Sequence, residues 1–184
     1  MKGYDFKKNI FTLSAELGVP FGILLSLESI VSLFSDKVPL LGHISLLIFL
    51  GAPVVLCLFQ RKRYVATEGF ASFSEIWTLA IFTSLGGALI MALVTYLAIT
   101  FLRPNALYEQ MQYIIDNFAE IDKDMAKILK KMIEKEALPT PIDYSMMKFW
   151  LIASLGCLGG SLTSFIACKI PLRKKDAKDN NSEQ

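Results

Sequence analysis

Glu16 and Glu28 stand inside a long apolar run near the start of this 184-residue chain. A carboxylate near the middle of a membrane span is penalised by roughly 3 kcal/mol on insertion scales, so it faces a cavity or a partner and is a functional candidate by default. Twelve residues separate the two acids, which at about 100° per residue sets them about a third of a turn apart. They cannot form a close carboxylate pair. Glu28 lies deeper and could serve as a proton or cation site, with Trp77 or Tyr96 along its path. The plainer alternative is a protonated or hydrogen-bonded glutamate held across a bundle by a hydroxyl such as Thr95 or Ser154. Glu16 is nearer the basic N-terminal end, within reach of Lys7 and Lys8.

No other residue pattern points to chemistry. His43 is the single histidine, and one imidazole with no Cys, Asp or Glu at ligand spacing makes no metal site. Cys57, Cys157 and Cys168 fall inside apolar runs without CxxC spacing, as buried thiols do. There is no glycine-rich phosphate loop, nucleophile elbow or zinc-protease helix. The expectation is a non-enzymatic protein with no catalytic residues, cofactor, metal or nucleic-acid partner.

The elements that carry the two acids are read from hydropathy. Hydrophobic residues make up 53% of the chain, more than a soluble protein of this size could bury. Four stretches, about 10–34, 41–59, 75–102 and 147–170, reach the roughly 20 apolar residues that a membrane span needs. A helix satisfies its own backbone groups in lipid, so an all-α, four-span polytopic membrane protein is expected. The first run is about twice as long as a signal-peptide core and carries two acids, so it is read as a retained helix. Lys2, Lys7 and Lys8, then Arg61, Lys62 and Arg63, then Lys169 to Lys178 all fall on one side of a four-span chain. By the positive-inside rule that side is cytoplasmic, with both termini inside a bacterial inner membrane. Residues 1–172 form one domain, followed by a disordered basic cytoplasmic tail over 173–184.

Helices in lipid associate through small residues that allow close approach. Gly18 and Gly22, between Ser14 and Ser26, make one such ridge. Gly156 and Gly160 with Ser164 make a second, and Ala80, Ser84, Ala88 and Ala92 a third. Packing within one chain is the default, and a homo-oligomer the alternative. Pro20 and Pro53 should bend their spans. The third helix should start near Ser72 or Ser74, and the fourth should be capped by Asp143 or Ser145.

The extracytoplasmic segment 105–136 has apolar residues at helical spacing. Met111, Ile114, Phe118, Met125 and Ile128 mark a face that needs a cover: a hairpin partner, the bilayer surface, another copy or another envelope protein. A break near Asp122 would make it a helical hairpin, though one continuous helix is also open.

The stretch Gly69, Phe70, Ala71, Ser72 and Phe73 leads into the third span. The exit at Pro104, the amphipathic segment and a glycine-rich last helix follow. In this order the chain resembles domain of unknown function family 4199, four-span membrane proteins common in Bacteroidetes. The resemblance implies no catalytic or binding residues. An accessory or assembly subunit docking through the amphipathic segment is the leading functional expectation, and a homodimeric proton-coupled transporter using Glu28 is the alternative.

Overall fold

The computed structural model describes residues 5–118, 123–134 and 138–169. They form six α-helices: α1 (Ile10–Leu33), α2 (Pro39–Ala66), α3 (Phe73–Leu97), α4 (Ala106–Phe118), α5 (Lys123–Glu134) and α6 (Pro141–Lys169). A π-helical turn, Ala98–Leu102, extends α3. There is no strand among the described residues. α1, α2, α3 with its π turn, and α6 are each long and apolar enough to cross a membrane. The architecture is an all-α bundle of four spanning helices with a two-helix insert between the third and fourth.

Local sequence sets the helix ends. Asn9 accepts a hydrogen bond from the Phe11 amide at 2.9 Å, and Ser72 accepts one from the Glu75 amide at 3.2 Å. Each satisfies one of the donors that a helix start leaves unpaired. α2 runs on to Ala66, beyond the apolar run ending near 59. Arg61, Lys62 and Arg63 are good helix formers, so the helix continues past the end of the apolar run. α2 then stops with Glu68 and Gly69 at φ of 54° and 83°, where the Gly69 amide donates to the Tyr64 carbonyl at 2.9 Å. α6 begins earlier than its apolar run, and neither Asp143 nor Ser145 is its N-cap. Thr140 holds that position: its hydroxyl accepts from the Asp143 amide at 3.3 Å, and Asp143 accepts in return from the Thr140 amide at 3.1 Å. Pro141 suits the first helical position, where its missing N–H is no loss.

α3 packs along α1 and α6, and α2 lies against the same two helices, so the ring runs α1, α3, α6, α2. Glycine makes the α3 contacts close. A Cβ on Gly18 would sit 3.5 Å from the Gly86 Cα, and one on Gly22 only 2.8 Å from the Ile90 Cβ. On the other flank, a Cβ on Gly156 would reach within 2.3 Å of the Ser84 Cβ, and one on Gly160 within 3.0 Å of the Ala80 Cβ. The glycine ridges of α1 and α6 therefore clasp two neighbouring faces of α3, as a four-helix ring requires. α2 is the outlying helix, with six buried residues in its 28 against eleven in the 24 of α1.

α4 and α5 pack against one another. The expected break near Asp122 falls at 119–122, outside the described residues. Ile115 is buried while Ile114 is 36% and Ile128 60% exposed, and Met111 is half-buried. The side chains of Phe118 and Met125 are not among those described, nor is the tail over 173–184.

Candidate functional site

Glu28 is 8% exposed, about one and a half turns inside the end of α1. One carboxylate oxygen accepts from the Ser45 hydroxyl at 2.8 Å. The other lies 3.5 Å from the Lys148 ammonium, which also donates to the Ser29 hydroxyl at 2.9 Å. Thr95 Oγ1 is within hydrogen-bond distance of both Ser29 Oγ, at 2.9 Å, and the Met91 carbonyl, at 2.8 Å. Each spanning helix thus contributes: Glu28 and Ser29 from α1, Ser45 from α2, Thr95 from α3 and Lys148 from α6. A buried charge is tolerable only when it is paired and hydrogen-bonded, and both charges here meet that condition.

A serine hydroxyl from another helix does hold Glu28, as one sequence alternative had it, but the residue is Ser45 and not Thr95 or Ser154. Thr95 reaches Ser29 and not Glu28, and Ser154 is exposed. Trp77 donates to the Cys157 carbonyl at 3.1 Å, about 27 Å along α3 from Thr95, so it lines no path to Glu28. Tyr96 is 37% exposed. Lys148 stands at the very edge of the fourth apolar run, where a lysine reads as an interfacial residue and not as a partner for a buried acid. It lies within α6 because that helix starts at Pro141.

An apolar cap seals the cluster from the insert end. Leu33, Ala98, Ile99, Ala106 and Leu107 pack together there with Phe34 and Tyr144, and Lys148 lies 5.8 Å from the Tyr144 ring centroid. Arg103 fastens the cap. Its backbone N–H closes on the Ala98 carbonyl at 3.0 Å, five residues back, as a π turn requires. Its guanidinium donates to both Asp36 oxygens at 2.8 and 2.9 Å, to the Leu33 carbonyl and to Glu109. Hydrogen bonding from Arg103 holds the Asp36 carboxyl below the usual carboxylate range, against the opposing effect of burial. Gln110 adds a bond from its amide nitrogen to the Ser32 carbonyl at 3.1 Å.

A second polar belt lies at the other end. The Gln60 amide nitrogen faces the Ser164 hydroxyl at 2.6 Å and the Gly160 and Ile76 carbonyls at 3.2 and 3.3 Å. Arg63 donates to Glu75 at 3.2 Å, to the Lys8 carbonyl at 2.8 Å and to the Phe6 carbonyl. Glu16 pairs with Lys8 at 2.8 Å, and that hydrogen bond lifts the Lys8 ammonium above its ordinary range. Glu16 and Glu28 thus belong to separate belts. His43 faces the Pro39 carbonyl through Nδ1 at 3.2 Å. Among the described residues no three His, Cys, Asp or Glu side chains converge as metal ligands would.

No match is found among curated proteins or solved structures. A family model does match, over residues 16–169, from the second turn of α1 to the last residue of α6. The chain belongs to that family, described as protein of unknown function (DUF4199).

Proposed function

We propose that the chain is a non-enzymatic accessory or assembly subunit of a bacterial cytoplasmic membrane. Both termini lie in the cytoplasm, and the α4–α5 insert is the docking surface for another envelope protein on the far side. The observation that carries this reading is the contrast between the two insert helices. α4 is fastened to the bundle through Glu109, Gln110, Ala106 and Leu107. α5 packs on α4 and keeps Ile128 60% exposed among the exposed Lys127, Lys130 and Lys131. A fixed base with an amphipathic outer helix suits presentation to a partner. A photoreactive residue at Ile128 should give a discrete crosslink to a second protein in native membranes. Crosslinks to lipid and to further copies alone would refute the docking role.

A second reading, a homodimeric proton-coupled transporter, is favoured by an ionisable pair inside the spanning region, where such groups commonly mark ion paths. Glu28 would be the coupling group. In vesicles with a trapped pH dye under an imposed potential, proton entry that Glu28→Gln abolishes would support it. Flux no greater than in protein-free vesicles would remove it.

A further inference from the structure

Between the two polar belts lies a cavity of about 140 Å³, where α1, α2, α3 and α6 converge. Phe21, Leu25, Leu56 and Ile152 form its floor, and Ser84 is the one polar residue of its lining. Its origin is legible in the residues around it. Pro53 has no N–H to offer the Phe49 carbonyl, and both residues line the space. Opposite them α6 carries Gly156, drawn close against Ser84, and Gly159, where a side chain would meet open space.

The lining runs out to the lipid-facing surface between α2 and α6. Leu50 and Leu155 line the cavity and are 59% and 43% exposed. The space is nearly without polar partners, so water is disfavoured there. Apolar cavities of about 150 Å³ stay dry and take up benzene-sized guests. Phe21 lies eleven residues into α1, about 16 Å along it, close to half the roughly 30 Å hydrocarbon thickness. That is the depth at which lipid chains end.

We propose that this cavity is a binding site for the terminal segment of a bilayer lipid's acyl chain, which enters between α2 and α6 beside Pro53. Depth, an uncharged lining and continuity with the lipid-facing surface select that occupant.

The test reconstitutes the full chain in nanodiscs of phospholipid carrying a diazirine at the acyl terminus, followed by irradiation and mapping of adducts. Adducts are expected on the inward-facing Leu25 and Ile152, which are 1% and 8% exposed. A Cβ on Gly159 meets nothing within 4 Å, so Gly159→Ala and Gly159→Leu fill the cavity without striking the backbone. Interior labelling should fall modestly in the first and several-fold in the second. It should hold in Gly51→Leu, where a Cβ is equally unobstructed but the residue is outside the lining. Adducts confined to outward residues such as Leu47 and Leu158, or equal interior labelling in Gly159→Leu and Gly51→Leu, would overturn the proposal. So would a tightly held non-lipid hydrophobe in the purified protein that blocks interior labelling until it is washed out.

Discussion

Replacing Lys148 by methionine while Glu28 remains would strand a carboxylate inside the spanning region. Breaking a buried pair from one side costs about 3–5 kcal/mol, far more than replacing both partners by neutral groups. Lys148→Met should therefore lower the thermal midpoint in detergent sharply. Adding Glu28→Gln should restore most of the loss, because the glutamine can still accept from Ser45. A double mutant no more stable than Lys148→Met alone would show that the pair is not the unit. At Arg103 the expectation concerns pH. The folded Asp36 carboxyl is held low by the guanidinium, so its contribution is complete above the unfolded value, about pH 4, and fades as pH falls through the folded value. Asp36→Asn should be less stable than the parent at neutral pH, yet lose less between about pH 4 and pH 2. Equal acid slopes in thermal melts would count against it. Glu28 was legible as an unusual residue because a charge in an apolar run violates a composition rule. Ser45 and Lys148 were not, because their proximity to it is created by the bundle and by nothing local.

Among the helices, contact is governed by what a methyl group would meet. Gly156→Ala would put a Cβ 2.3 Å from that of Ser84, forcing α6 off α3 and costing about 1–3 kcal/mol. Gly51→Ala meets nothing within 4 Å and should be neutral or add up to about 1 kcal/mol through helix propensity. Melting the two variants side by side checks this, and similar losses in both would remove the steric account. The ridges on α1 and α6 could be read from four-residue spacing. The receiving surface on α3 could be read only in part: Ala80 and Ser84 fall in its small-residue series, while Gly86 and Gly87 stand outside it. Helix ends were harder for a different reason. The arginines at the end of α2 and Pro141 at the start of α6 look like loop residues by hydropathy, yet by backbone chemistry they extend a helix or open one.

For the molecule as a whole, orientation is the expectation with the widest reach. In a cysteine-free background, a membrane-impermeant maleimide applied to intact cells should label Lys127→Cys in α5 and leave Glu68→Cys, at the opposite end of the bundle, unmodified until the cells are opened. The reverse pattern would invert the topology and with it the docking reading. The four spans were evident from composition because hydrocarbon selects for it residue by residue. The belts and the cavity were not, since they exist only where four helices meet. The cross-bundle pair also bears on how the chain is made. Glu28 leaves the ribosome 120 residues ahead of Lys148, an interval of roughly 6–24 s at about 5–20 residues per second. For that interval the acid lacks the Lys148 ammonium that pairs with it in the finished bundle. A chain that stops short of its last helix keeps that defect, which gives the cell a chemical mark by which unfinished copies can be told from finished ones.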